Sequence, residues 1–387
     1  MSQASDVVVV GGGIIGLAAA REAARAGLSV VLLERRETGG EASGAAAGLL
    51  SVQAEGEHAG PLLRLGLLSR TLYPAFADAV RAESGVDPEL RGEGILALAR
   101  GPAESAALDR LQAAQPSLGL GAERLRGDGL RRLEPGLDAA IDDGLLLPHD
   151  RSIDNAALVR GLRLAAARAG VRILEGVEGR SVILDRGRAV AVAAATGRHP
   201  AGAVVIAAGA WSSQVTAVEP PPFATHPVRG QIACFHAAPG TLRHPLWTGD
   251  VYLVPRGDGR ILAGSTMERV GFDRRTTPEA IAALREAAVA LLPGLRSAIR
   301  VTSWAGLRPA TADGLPVIGE GPAAGLIYAT GHLRNGILLA PVTASLVARV
   351  LRGADPGPEA APFSPRRFAA APPAGTGPPR PALPPGP

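Results

Sequence analysis

The sequence predicts an α/β protein built on two sheets, one parallel and the other mixed and largely antiparallel. Three observations carry that prediction. An apolar β-branched run, a glycine turn, an alanine-rich helix and a second apolar run follow one another over residues 6–34. Strand-then-glycine exits recur at 203–211 and 326–336. Between them, from Thr225 onward, short β-like segments punctuated by Gly and Pro replace the alternation of strand and helix.

The first element, 7–10, is four valines in a row, which suits a strand buried on both faces. The turn through Gly11, Gly12 and Gly13 leads into a helix over 14–25 that Gly27 ends, and a second strand, 30–33, finishes on Glu34. Gly11, Gly13 and Gly16 stand at G-x-G-x-x-G spacing. Each glycine has a physical task there: a tight turn, backbone approach to a pyrophosphate, and close helix–strand packing. The helix dipole and its first N–H groups then face the phosphates. Glu34 ends the strand where an acid binds a ribose hydroxyl, and that acid favours a free 2′-hydroxyl over the phosphate of NADP. Glycine-rich turns alone are common; with strand, helix, second strand and acid in place, a dinucleotide site is the expectation.

Residues 35–51 read as a loop, not as the next strand. Ser43, Gly44, Ala45, Ala46, Ala47 and Gly48 leave little side-chain volume, so a large group such as a cofactor can approach the backbone. Leu62, Leu65, Leu68, Leu72, Phe76 and Val80 recur at helical spacing and predict a helix over 61–81. Strands at 95–99 and 145–147 enclose a helix at 103–115. Asp154 is placed to N-cap a helix over 155–168 that Gly170 ends. Strands at 171–174, 181–184, 189–194 and 203–207 follow. The segments HPVRGQIACF, DVYLVPR, GRILAGST and IRVTSWAGLRPAT are β-like, interrupted by one helix at 278–292. A strand at 326–329, a glycine turn at 331–336 and an apolar helix at 337–351 close the chain. Beyond Phe368 the tail lacks core-forming residues and is expected to be disordered.

At 387 residues the chain is long enough for two domains and a large core. No apolar run reaches the roughly 18–20 residues of a membrane-spanning helix. The N-terminus lacks a basic start and a small-residue cleavage site, so a cytoplasmic protein without membrane association is expected. The single cysteine, Cys234, leaves no intramolecular disulfide and no cysteine-cluster metal site. His149 and Asp150 are adjacent but make no metal site without further ligands. The pI of about 10.1 accompanies a net charge of only +4, because every basic residue is arginine. Those arginines are scattered, without a basic stripe interleaved with aromatics, so nucleic-acid binding is not expected. A chain without lysine also excludes Schiff-base catalysis and pyridoxal-phosphate anchoring.

With its motifs in order, the chain resembles the FAD-dependent amine oxidoreductases of the D-amino-acid oxidase and sarcosine oxidase superfamily, most closely the glycine oxidases of thiamine biosynthesis. The likeness runs to about Phe368 and rests on VVVVGGGIIG, ASGAAAGLL, HPVRGQ, YLVPRGDGRILAGSTME, WAGLRPATADGLPVIG and GHLRNGILLAP. Many flavoproteins share the first; the last three, in this order and spacing, are far more diagnostic. The resemblance implies a discontinuous Rossmann-type FAD-binding domain (1–82, 149–222 and 313–368). It also implies a substrate domain on a mixed, largely antiparallel sheet (83–148 and 223–312), with 369–387 as the Pro-rich tail. It implies non-covalent FAD, with Gly11, Gly13, Ile14, Ile15, Gly16, Glu34 and Arg35 along the dinucleotide and Ser43, Ala46, Ala47 and Gly48 near pyrophosphate and flavin. Val177 would hold the adenine through its backbone, and Ala208, Gly209 and Trp211 would touch the cofactor. His332, Arg334, Asn335, Gly336, Ile337 and Leu338 would form the flavin loop. Helix N–H groups there can face the pyrimidine edge, where negative charge appears on reduction. Some relatives tether flavin to cysteine, but Cys234 lies inside the strand-like QIACF, so no tether is expected.

The same resemblance makes Arg308 the clamp on a substrate carboxylate, a task suited to a planar guanidinium with two charge-assisted hydrogen bonds. Taken alone, Arg308 reads equally as a salt-bridge arginine. Tyr252 is implied as a second carboxylate contact, against a sheet aromatic in the core. Met267 is implied to line a small pocket, against a gap-filler, and Arg334 to stand beside the substrate, against a surface role at a helix start. The implied reaction is oxidative deamination of glycine, or of small amines or D-amino acids, by hydride transfer from Cα to flavin. It gives the imine, then glyoxylate and ammonia, with molecular oxygen reduced to hydrogen peroxide, and it supplies the thiazole moiety of thiamine. No side-chain acid or base and no metal are expected: the amine can lose its proton to water, and orientation supplies much of the rate. A homotetramer is implied. The alternatives are a D-amino-acid or sarcosine oxidase or dehydrogenase on the same fold and, from another class, a non-catalytic dinucleotide-binding module. The last leaves Arg308 and Tyr252 unexplained.

Overall fold

The computed structural model describes residues 4–54, 60–217 and 221–368; the tail expected to be disordered lies outside the described residues. Strand Ser5–Val10 is the centre of the first sheet. It pairs in parallel with Val30–Glu34 and with Gly197–Ile206, placing Val7 opposite both Val30 and Ala203. Arg172–Glu175 and Leu326–Thr330 extend the parallel order outward. Val317–Glu320 closes one edge antiparallel, and the hairpin Gly179–Asp185 and Arg188–Ala194 runs off Gly197–Ile206. Successive side chains of a strand point to opposite faces. Val7 and Val9 therefore meet the helices Ile14–Arg25, Pro61–Ser84, Asn155–Arg168 and Gly336–Leu351, while Val8 and Val10 pack with Val182, Val192 and Tyr328. Burial on both sides is why the run is apolar without alternation.

The second sheet runs in the order Arg300–Ala310, His226–His236, Arg260–Gly264, Tyr252–Pro255, Leu246–Trp247, Ile95–Ala99, Asp143–Leu147, Glu123–Arg126. Every neighbouring pair is antiparallel except Leu246–Trp247 with Ile95–Ala99, so the sheet is mixed and largely antiparallel as the sequence predicts. Ala233 and Phe235 pack with Leu284, Ala288 and Leu291 of the helix Pro278–Leu291. Ile232 and Cys234, one residue out of phase, face the other way with Ala47, Val254 and Leu262. That second face looks toward the first sheet and carries the site.

Several local expectations need correction. The loop at 35–51 contains a one-turn helix, Ala42–Ala45, and a strand, Leu49–Leu50, paired with Arg151–Ser152. Strand Glu123–Arg126 and helix Asp128–Leu133 escape sequence reading because charged residues dominate both and neither period shows. The strand expected at 203–207 begins at Gly197, since its first half pairs with the hairpin. Asp154 does cap its helix, accepting from the Ala157 N–H at 2.9 Å. The buried Asp150 ties down backbone, its carboxylate accepting from the N–H groups of Val52, Gln53 and Ala54, while burial pushes its pKa up to about 6. Among the described residues, no helix is long and apolar enough to cross a membrane, and no group of His, Cys, Asp and Glu is placed to hold a metal ion.

Candidate active site

One cavity of ≈ 780 Å³ runs between the two sheets, within the size range of cofactor and substrate sites. At one end the backbone shapes it. Gly11 has φ +111°, and a methyl placed on it would overlap the Ala207 carbonyl oxygen. A methyl on Gly16 would collide with the Gly11 carbonyl oxygen, so the first helix seats directly against the turn. Gly13, without a side chain, leaves the helix N-terminus open toward the cavity; of the first N–H groups, Ile14 donates to Ser43 Oγ at 2.9 Å. Glu34 is buried, its two carboxylate oxygens accepting from the N–H groups of Gly12 (2.7 Å) and Arg36 (2.9 Å). On the exit from the neighbouring strand, Gly209 takes φ +55° with open space where a side chain would stand. Trp211 follows, with the Arg35 guanidinium 3.6 Å from its ring centre.

The small-residue loop is stapled from beneath. Asn155 Nδ2 donates to the carbonyls of Ser43 and Gly44, and the buried Arg256 donates from Nη2 to the Ala47 carbonyl at 2.8 Å. Trp304 Nε1 donates to the Ala45 carbonyl, and a methyl on Gly306 would stand 2.6 Å from the Ala45 side chain. Ser43, Ala46, Ala47 and Gly48 thus reach the cavity as a thin wall pressed against the second sheet.

At the other end the wall is made of long side chains. Antiparallel register sets Val228 opposite Arg308 and Gly230 opposite Gly306, while Gly264 lies opposite both Ile232 and Tyr252. The Arg308 guanidinium lies where a side chain on Gly230 would be, and the Tyr252 phenol lies over Gly264, whose added methyl would be 2.6 Å from the hydroxyl. Arg308 donates from Nη1 to the Thr266 carbonyl (3.0 Å) and from Nη2 to Ser265 Oγ (2.6 Å), with Met267 Sδ at 3.4 Å. The Tyr252 ring stacks at 24° on Trp247, and the Arg334 guanidinium stands 5.8 Å from the Trp247 ring centre. Asp250, two residues before Tyr252, is the carboxylate on this stretch of wall and is ion-paired with Arg100.

The last helix, Gly336–Leu351, also opens toward the cavity. Asn335, Gly336 and Ile337 line it, and no side chain caps the helix. His332 lines it too but is buried, with Nε2 3.0 Å from Thr343 Oγ1; burial pulls its pKa down to about 3, so the ring is neutral at ordinary pH. The cavity therefore gathers Gly11, Gly13, Ile14, Ile15, Glu34, Arg35, Ala208, Gly209, Trp211, Tyr252, Met267, Arg308 and Arg334. Three expected residues lie off its wall. Gly16 acts through packing, Val177 spends its N–H on the Glu34 carbonyl, and Leu338 is in the core with its carbonyl accepting from Ser69. Glu178, Gly179 and Arg180 line the wall where Val177 does not. Trp247, Asp250, Asn155 and Arg256 carry no local signal; Gly230, inside its strand, and Gly264, at the end of its strand, could have been read as marks of a close approach.

The chemistry of this donor set fits a large dinucleotide: two open helix N-termini, glycines that leave no room for side chains, and a buried acid at the end of the second strand. The model of the family described as FAD dependent oxidoreductase matches residues 6–350. A glycine oxidase from Pseudomonas aeruginosa is 36% identical over 361 residues, covering 93% of this chain and 98% of its own length. The bifunctional protein ThiO/ThiG of Synechocystis is 35% identical over 375 residues, and this chain spans 55% of its length. The crystal structure of glycine oxidase from Geobacillus kaustophilus superimposes with a TM-score of 0.88 at 34% identity, covering 94% of this chain and 98% of that one.

Proposed function

We propose that this chain, which belongs to the FAD dependent oxidoreductase family, holds FAD without a covalent tether and oxidises glycine. The observation that carries the reading is the convergence of Arg308, Tyr252 and the open N-terminus of the last helix on one cavity. Relatives named glycine oxidase, similar over nearly their whole length, support it.

Bound FAD supplies the two-electron acceptor for the Cα–H bond. The chain's residues do the rest. Arg308, its plane fixed by Thr266 and Ser265, clamps the substrate carboxylate, and the Tyr252 phenol donates a second hydrogen bond. Trp247 stiffens Tyr252 from behind, while Met267 and Arg334 close the pocket. His332 is buried with Nε2 on Thr343 Oγ1 and so is not placed as a base for the amine, whose proton would pass to water on binding. The uncapped helix N-terminus at Asn335, Gly336 and Ile337 opens into the cavity, and its N–H groups would stabilise the negative charge that a bound flavin gains on reduction. At the far end, Gly11, Gly13, Glu34 and the loop through Gly48 hold the dinucleotide.

In this reading molecular oxygen is the final acceptor, hydrogen peroxide is released, and the imine serves the thiazole moiety of thiamine. A homotetramer, a cytoplasmic location and division into a FAD-binding domain (1–82, 149–222, 313–368) and a substrate domain (83–148, 223–312) belong to it as well. The test is peroxide release across glycine, sarcosine, D-alanine and bulkier D-amino acids. Glycine should give the highest kcat/KM. Peroxide from the bulkier substrates alone would move the substrate assignment, and flavin reduction without peroxide would make the protein a dehydrogenase.

A further inference from the structure

The irregular segment 265–277 spans both ends of the cavity. Its first residues, Ser265, Thr266 and Met267, hold Arg308. Its base is fixed on the strand His226–His236: Glu268 and Arg229 exchange backbone hydrogen bonds at 2.8 and 3.0 Å, and Thr277 N–H donates to Gln231 Oε1 at 2.7 Å. Its tip crosses to the cofactor side. Phe272, 42% exposed, sets its ring 5.2 Å from Trp211. Arg274 donates from Nη1 to both carboxylate oxygens of Glu41 at 3.1 Å. Glu41 is also ion-paired with Arg35, whose guanidinium lies on Trp211. The contacts close into a circuit, Trp211–Arg35–Glu41–Arg274 and back through Phe272, and Trp211, Arg35 and Glu41 are themselves part of the cavity wall.

We infer that Phe272 and Arg274 form a clasp over the dinucleotide that retains bound FAD. The half-exposed Phe272 ring covers Trp211, a wall residue of the cofactor cavity. Release of FAD requires Trp211 or Glu41 to move, and each is pinned from the opposite sheet. The inference depends on FAD binding and not on which amine is oxidised.

Dilution of the yellow holoprotein, with released FAD followed by its fluorescence, tests the clasp. Phe272→Ala should release FAD about five- to tenfold faster, since the aromatic contact carries more than a half-exposed ion pair. Arg274→Gln should speed release about twofold, and high salt should abolish its difference from the wild type. Arg275→Gln, altering a side chain that is 86% exposed and paired with Asp273, should leave the rate unchanged. The gap in Tm between holo and apo forms should narrow in Phe272→Ala, because weaker retention lowers the stabilisation that FAD confers. Unchanged release in both Phe272→Ala and Arg274→Gln would overturn the clasp. So would an equal fall in Tm of both forms, the mark of ordinary packing.

Discussion

At the end proposed for the nucleotide the cavity wall is largely backbone and glycine, flanked by Arg35, Glu41 and Trp211; at the end proposed for the substrate it is guanidinium, phenol and indole laid over glycine. The first admits a ligand by letting main chain come close, and at Gly11 and Gly16 it leaves no room for an added carbon. The second recognises by side chains whose removal leaves the fold in place. The two ends should therefore fail differently: one by losing cofactor, the other by losing turnover with cofactor still bound.

The largest break is expected at Gly16→Val, which forces branched carbons into the Gly11 carbonyl; purified protein should be colourless and destabilised by more than about 3 kcal/mol, read by flavin absorbance and Tm. Arg308→Ala should keep its FAD yet lose about 10²- to 10³-fold in kcat/KM for glycine, because a charged pair loses one partner. His332 tests the joint between the ends. Its folded pKa of about 3 lies below the ordinary 6.5, so stability is present above pH 6.5 and lost as pH falls toward 3. At pH 5 the loss is about 2 kcal/mol, and His332→Asn should flatten the acid limb of Tm against pH. Gly230→Ala sharpens the comparison further: one methyl displaces the Arg308 guanidinium, costing about tenfold in kcat/KM without loss of FAD. Tyr252→Phe, removing one hydroxyl, should cost about fivefold in steady-state kcat/KM.

The same contrast decides what the sequence discloses. Gly11, Gly13, Gly16 and Glu34 act within one strand–turn–helix–strand unit, so their spacing survives as a local pattern. Arg308 meets Gly230, and Tyr252 meets Gly264, only through antiparallel register, so their pairing is invisible until the sheet is assembled. Resemblance to a family supplies Arg308 and Tyr252; periodicity does not. Asn155 and Arg256, which staple the small-residue loop, sit on other elements and leave no trace in its composition. Val177 and Leu338 lie off the cavity wall for local reasons: Val177, between two strands, spends its N–H on the Glu34 carbonyl, and Leu338 is buried in the last helix with its carbonyl accepting from Ser69.

Anaerobic titration with glycine, followed by flavin absorbance in the wild type and in Arg308→Ala, tests the central claim most directly. The account predicts that both proteins are yellow with equal FAD content, and that the wild type bleaches with glycine and recolours in air. The variant should need about 10²-fold more glycine for the same bleaching. Equal bleaching of the two proteins at equal glycine, or a variant without FAD, would contradict the division of the cavity into a backbone-built cofactor end and a side-chain-built substrate end.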